Sequence, residues 1–155
     1  MIARLYIGWI WLEAGIEKII NPAWVGDSAG AAIKGFVGGA LKKTVGEHPD
    51  VQGWYASFLQ SVVLPNAEIW GYLIAWGEFL IGIALILGFL TGIAAFFGAF
   101  MNWNFLMAGT VSINPIMFPI TIILILAWKT AGYWGLDRYV LPALLKSGRR
   151  GRISR

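Results

Sequence analysis

Ionisable and amide side chains lie inside long apolar segments of this sequence, where they are the residues able to do chemistry. Glu13 is in the first such segment, Glu78 in the second and Asn102 in the third. A charge near the centre of a bilayer costs at least ~2.5 kcal/mol, so residues of this kind usually face the protein interior or water. At about 1.5 Å per residue, both carboxyls lie within roughly 3 Å of the midplane if the two segments run in opposite directions. We therefore predict that Glu13 and Glu78 share one buried layer, with Asn102 at similar depth.

Two carboxyls in one buried layer favour proton chemistry. Desolvation and mutual repulsion prevent both from ionising readily, so the pair can hold a proton. Asn102 can hydrogen-bond either carboxyl. Lys18 can neutralise one, although on an ideal helix it points about 100° away from Glu17. The alternative interpretation is that these groups are protonated or paired and serve only to join helices by hydrogen bonds.

The segments that must position these residues predict an all-α fold, a four-helix transmembrane bundle. Of the 155 residues, 58% are hydrophobic and 13% are charged, which is unusual for a soluble domain. Spans are expected at about 2–20, 69–90, 93–109 and 116–134, each long enough to cross a bilayer. On the second span, Gly71, Glu78 and Gly82 share one face, which would let another helix approach the carboxyl closely.

The connection between the first two spans, 21–68, also contains helical patterns. The apolar positions after Asp50, from Val51 to Val63, have the spacing of one helical face and end before Pro65. This amphipathic helix is too short to span, and we expect it to lie at the outer interface or to cap the bundle. A weaker pattern of the same kind runs from 29 to 41, where four glycines disfavour a helix.

The basic residues predict how the bundle is oriented. After Asp137 the chain has no acidic residue, and the tail 146–155 contains Lys146 and four arginines. Such a cluster stays in the cytoplasm, and with four spans the N-terminus is cytoplasmic too. We therefore expect one membrane domain, 1–145, in the cell membrane and a basic tail whose contacts are with anionic lipid. Membrane topology explains the positive charge better than a nucleic-acid partner does.

Metal chemistry within this one chain is poorly supported. The chain has no cysteine, and His48 in the outer connection is the only histidine. Thiolate sites, histidine clusters and two-histidine haem ligation are therefore excluded, and no metal ligands are predicted. Any electron carrier has to be borrowed from another molecule.

Several short motifs match one known family. They are Arg4 to Gly8, Gly15-Ile16-Glu17-Lys18, Glu78-Phe79-Leu80-Ile81-Gly82, Leu85-Ile86-Leu87-Gly88, Asn102-Trp103-Asn104, Asn114-Pro115 and Gly135-Leu136-Asp137. In these motifs, and over nearly its whole length, the chain resembles the DoxX family of small four-helix membrane proteins, which is related to DoxD. DoxD-type members are associated with a thiosulfate:quinone oxidoreductase, so the resemblance implies a quinone-linked role. Thiosulfate itself does not follow, because a shared fold does not carry a substrate with it.

The resulting hypothesis is a DoxX-like membrane subunit of a quinone-linked oxidoreductase or respiratory complex. Glu78 and Glu13 would exchange protons with the quinone, Asn102 would orient its head group, and Arg4 or Lys18 would balance charge. The alternative is a noncatalytic accessory or structural subunit whose helices pack against a larger membrane complex. A small transporter is disfavoured because no inverted repeat or broken central helix is evident.

Overall fold

The computed structural model of the chain describes residues 1–150, with side chains described through residue 143. Every regular element in that range is helical. The α-helices are α1 (Ile2–Ile19), α2 (Ala31–Leu41), α3 (Gly53–Phe58), α4 (Ala67–Leu87), α5 (Thr91–Met107), α6 (Asn114–Leu126), α7 (Trp128–Tyr133) and α8 (Asp137–Arg150). The backbone of α8 runs into the basic segment predicted as a tail, but the side chains of 146–155 lie outside those described.

Four of these helices close into a ring, in which α1 contacts α4 and α6, and α5 contacts the same two helices. Between α1 and α4 the backbones themselves touch. A Cβ placed on Gly15 would lie 2.6 Å from the Cα of Phe79, and one on Gly82 would lie 2.6 Å from the Cα of Leu12. The close helix approach predicted at the glycines of the second span is therefore confirmed.

The turn between α4 and α5 is tight and comprises only Gly88 to Leu90. Gly88 and Leu90 both have positive φ, 65° and 48°, and the backbone therefore reverses within three residues. The turn is docked against the start of α8, where the N–H of Leu136 donates to the carbonyl of Leu87 and that of Asp137 to the carbonyl of Gly88. The second and third predicted helices therefore form the expected hairpin.

The connection between α1 and α4 covers one end of the bundle. Its two helices share a buried cluster to which α2 contributes Ile33 and Val37 and α3 contributes Tyr55. Both predicted amphipathic helices form, including α2, which contains three of the four glycines. The helix predicted after Asp50 does not end before Pro65 as expected. Pro65 sits in the first turn of a 3₁₀ segment, where its missing N–H costs little, and the helical path continues through this segment into α4.

The fourth apolar segment differs from the prediction. Instead of one helix over 116–134, α6 ends at Leu126, and Ala127 adopts φ −97° and ψ 18° before α7 begins. Its 13 residues reach only about 20 Å, less than the hydrocarbon core of a bilayer. Pro119 inside α6 also removes one backbone hydrogen bond.

One continuous helical stretch, Gly53–Leu87, is long and apolar enough to cross a membrane. It combines α3, a π turn over Leu59–Val63, the 3₁₀ segment and α4. Two shorter apolar helices are Ala31–Leu41 and Asn114–Leu126. The all-helical fold is thus confirmed over the described residues, whereas the four crossings remain a prediction.

Candidate functional site

Glu78 is the most deeply buried acidic side chain among the described residues, with a relative exposure of 1%. It lies halfway along α4, next to Phe79, where the glycine contact draws the backbone of α1 against α4. An acidic group in this position has lost its water, and it must find compensation from other protein groups or from a ligand.

Lys18 provides that compensation. Its Nζ lies 2.7 Å from Oε2 of Glu78, the only ion pair among the described residues. This short contact is the pairing that the structure gives to Oε2 within the described part of the chain. Lys18 lies in the last turn of α1, and its flexible stem lets the ammonium reach back toward the carbonyl of Ala14, 3.4 Å away. The sequence prediction that Lys18 neutralises a buried carboxylate therefore has a structural counterpart, with Glu78 as the carboxylate.

Trp24 holds the ammonium from the other side. The Lys18 Nζ lies 5.2 Å from the centroid of the Trp24 ring, within the range of a cation–π contact. The segment that carries Trp24 docks on α4 through Gly71, where a Cβ would lie 2.8 Å from the Trp24 carbonyl oxygen. The glycines of α4 thus bring α1 and this connection onto the face that carries Glu78.

A cavity of about 300 Å³ borders the ion pair, and we name it the polar pocket. Its walls come from α1, α2, α4, α5, the start of α6 and the connections that follow α1 and α5, and they combine aromatic rings with a few polar groups. The lining residues used below are Trp11, Lys18, Trp24, Glu78, Phe105 and Asn114. Mostly apolar walls with a small number of placed polar groups are typical of small-molecule sites.

Asn114 gives the polar pocket its amide. Its Oδ1 accepts a hydrogen bond from Nδ2 of Asn102 at 3.3 Å, and its own Nδ2 donates to the carbonyl of Thr110 at 3.0 Å. One N–H of the Asn114 amide remains available for a ligand. Asn102 is fully buried and does not line the polar pocket. Asn102, the amide predicted to orient a ligand, therefore does not reach the polar pocket itself. It contacts Asn114, which does.

Glu13 does not join Glu78, contrary to the prediction of a shared buried layer. Its side chain is exposed, as is that of Glu17. Helix α1 meets α4 through Leu12 and Gly15, and Glu13 lies about 100° and 160° around the helix from these two positions. The depth estimate placed the two carboxyls at one level, but the rotation of α1 turns Glu13 outward.

Arg4 is also separated from this site, although its side chain is buried at 2% exposure. It lies at the opposite end of α1, about 21 Å from Lys18 along the helix axis. Its Nη1 donates to the carbonyl of Ala131 at 2.9 Å, and the guanidinium packs against Gly88 and Gly135. Nearby, the Asp137 carboxylate accepts the N–H groups of Leu90 and Thr91 at 2.6 and 2.9 Å and caps α5. Arg4 therefore belongs to a structural cluster at the α4–α5 turn.

Comparison with known proteins gives one match. The family model described as TQO small subunit DoxD matches residues 1–150. The chain belongs to the DoxD family. No curated protein and no solved structure matches it. The resemblance seen in the short motifs is thereby confirmed at the level of the closely related DoxX and DoxD proteins.

Membership of the DoxD family indicates that the chain is associated with a membrane. DoxD proteins are membrane-associated, and the family is described as a small subunit, which is consistent with other membrane subunits as partners. Among the described residues of this DoxD-family chain, no group of three or more His, Cys, Asp or Glu side chains could hold a metal ion.

Sequence reasoning missed two residues of the site in this DoxD-family chain. Asn114 was noticed only as part of an Asn-Pro motif, yet a polar residue beside a proline at a helix start, twelve residues after a buried Asn, is a signal that could have found it. Trp24 had no such signal, because its position depends on how the segment after α1 folds back onto α4.

Proposed function

We propose that this chain is the membrane subunit of a quinone-linked oxidoreductase and that it binds the quinone head group in the polar pocket. Its family is that of the DoxD small subunit of TQO, the thiosulfate:quinone oxidoreductase. Electrons come from a donor that other subunits of the complex oxidise. This chain binds the quinone and transfers protons to or from it.

The observation that carries the proposal is the buried Glu78 carboxylate, paired with the partly exposed Lys18, at the wall of a cavity. Burying two charges is costly, and an apolar replacement is often as stable, so a buried pair is weak evidence for a purely structural role. Ionisable residues inside membrane helices mark proton and substrate pathways. Here the carboxylate is paired with a single ammonium and borders a space large enough for a small molecule.

The residues present fit a quinone head group. The Lys18 ammonium and the Asn114 amide are donors suited to carbonyl oxygens, and Glu78 is an acceptor suited to a hydroxyl proton. Trp11, Trp24 and Phe105 provide aromatic walls for a flat ring. When bound, a quinone accepts two electrons and two protons. Glu78 would hold and transfer a proton at Oε2, Lys18 would offset the carboxylate charge, and Asn114 would orient the ring.

The same proposal includes four membrane crossings with both termini in the cytoplasm. Large apolar side chains cover the outer surface of the helical ring, among them Trp9, Leu80, Phe97 and Ile123, each between 52% and 61% exposed. An apolar surface of this extent is typical of contact with lipid or with other membrane subunits. In this arrangement α6 and α7 together make the last crossing.

Glu78→Gln tests the proposal in the complex that copurifies with this chain. The substitution keeps the shape of the side chain and removes its proton exchange, so we expect quinone-dependent turnover to fall about 10²-fold while the complex still assembles. Glu13→Gln is the matched control, because it makes the same chemical change at an exposed position, and it should leave turnover unchanged.

The alternative, a noncatalytic accessory subunit, predicts a different result. If the Glu78→Gln complex binds quinone and turns over like the wild type, Glu78 has no part in the reaction and the chain acts only by packing against its partners. Quinone binding is followed separately by quenching of tryptophan fluorescence, because Trp11 and Trp24 line the polar pocket.

A further inference from the structure

A second and larger cavity lies between α4 and α5, and we name it the apolar groove. Its volume is about 570 Å³, and it extends from α3 to the α4–α5 turn. Small residues leave this space open, because α4 presents Gly77 and Ala84, two turns apart, to Ala94 and Met101 of α5. Volumes of this size are typical of ligand sites.

The apolar groove offers nothing for a polar ligand to bind. Its side chains Tyr55 and Asn104 are hydrogen-bonded within the protein, since the Tyr55 hydroxyl donates to the backbone carbonyl of Asn104 at 2.9 Å and the Asn104 Nδ2 donates to the carbonyl of Phe100 at 2.8 Å. None of the buried polar atoms left without a partner in the described residues belongs to a side chain that lines it. The groove therefore suits a hydrocarbon chain.

The apolar groove and the polar pocket share a wall. Phe36 and Phe105 line both cavities, and their rings meet edge to face with centroids 6.1 Å apart. On α4, Gly77 faces the groove and the next residue, Glu78, faces the pocket, about 100° around the helix at the same level. A single molecule lying across the Phe36–Phe105 pair would have its polar end at Glu78 and its apolar end between α4 and α5.

We propose that the apolar groove holds the isoprenoid tail of the quinone whose head group occupies the polar pocket. This inference rests on the proposed function and adds to it a location for the tail of the quinone. Bilayer lipid is the competing occupant, but binding of a lipid chain in the groove would be independent of the polar pocket. Binding of a quinone tail would be coupled to the polar pocket, because the tail is covalently joined to the head group.

Gly77→Leu tests this inference by filling the groove. A Cβ on Gly77 would make ordinary contacts with the Met101 side chain, at 3.4 Å, so the first added carbon is tolerated and the rest of the side chain enters the groove. Binding is measured by tryptophan quenching in lipid nanodiscs, with matched quinones that carry or lack a short isoprenoid tail. Each quinone is compared between variants, because its partition into lipid is then the same.

We expect Gly77→Leu to weaken binding of the tailed quinone about tenfold or more and to leave the tailless quinone unchanged. Gly35→Leu is the matched control, since Gly35 is helical, exposed and has open space around it. Ala84→Phe repeats the test farther along the groove, six residues from Glu78, and should give the same selective loss.

Three outcomes separate this inference from the function on which it rests. Unchanged binding of the tailed quinone in both groove variants would mean that the groove holds only bilayer lipid. Equal loss of tailed and tailless quinone in both variants would overturn the division of head and tail between two cavities. If the wild type binds neither quinone, the proposed function itself fails.

Discussion

At the scale of single residues, the Glu78 carboxylate is held by groups that come from far apart in the chain. Lys18 reaches it from the end of α1, and Trp24 covers the ammonium from the following connection. Neither partner is on α4, so the charge of Glu78 is compensated only after the bundle has assembled. The site therefore depends on tertiary packing more than on any local motif.

Asn102 acts through Asn114 in this arrangement, which makes Asn102 a positioning residue. We expect Asn114→Ala to weaken quinone binding about tenfold, because it removes a hydrogen bond to the head group. Asn102→Ala should weaken binding less, and the double variant should bind no worse than Asn114→Ala alone. Titration by tryptophan quenching measures all three, with the exposed amide variant Asn66→Ala as control. Additive losses would instead show that Asn102 contacts the ligand independently.

The comparison of Glu13 with Lys18 shows what sequence can say about a buried site. Depth along a helix follows from residue number, and it correctly singled out Glu78 as a buried group. Rotation about the helix axis does not follow, because it is set by the backbone contacts at Gly15 and Gly82. For that reason the predicted partner, Glu13, faces outward, while Lys18 reaches the carboxylate.

At the scale of helices, the glycines of α1 and α4 determine the distance between the two backbones. Gly15 and Gly82 each lie against the backbone of the other helix, where a side chain would collide. Van der Waals contact between closely approaching helices is a principal stabilising force in membranes, where burial from lipid gives little. This seam also fixes the height of Lys18 relative to Glu78.

Gly15→Ala should therefore destabilise the protein by about 1–3 kcal/mol, because its Cβ would lie 2.6 Å from the Cα of Phe79 and the backbones would have to separate. Gly35→Ala, the same substitution on an exposed face of α2, should stabilise it by up to about 1 kcal/mol through helix propensity. The free energy of unfolding in detergent, followed by circular dichroism, measures both. A shift in the same direction for the two variants would contradict a backbone clash at Gly15.

Helix boundaries were predictable where strong local signals exist and not elsewhere. The end of α1 before Pro22 follows from residue type, because proline lacks a backbone N–H, and α1 ends at Ile19. A tight turn near Thr91-Gly92 is also present, but it lies at Gly88 to Leu90, and Thr91 and Gly92 begin α5. The interruption at Ala127 could not be foreseen, because the residues on both sides are apolar and favour a continued helix. At Pro65 the opposite error occurred, because the helix was predicted to end there and the structure continues it. A proline in a first helical turn is compatible with helix on both sides.

At the scale of the whole molecule, the two ends of the bundle have different tasks. One end carries the polar pocket, with α2 and α3 packed over it. The other end carries Arg4 and Asp137, whose hydrogen bonds go to the backbone of α7 and of the α4–α5 turn. Proton exchange is proposed at the first end, and the second provides a fixed base for the hairpin that forms the apolar groove.

The orientation of these two ends in the membrane can be tested because the chain contains no cysteine. The positive-inside rule predicts that the end with the polar pocket faces outward. Asp27→Cys, at an exposed position in the connection after α1, should react with a membrane-impermeant maleimide in intact cells. Arg155→Cys should react only after the cells are permeabilised. The reverse pattern would invert the bundle, and the proposed pocket would then draw its protons from the cytoplasmic side. Labelling of both cysteines in intact cells would require an even number of crossings between them and would contradict the proposed four crossings.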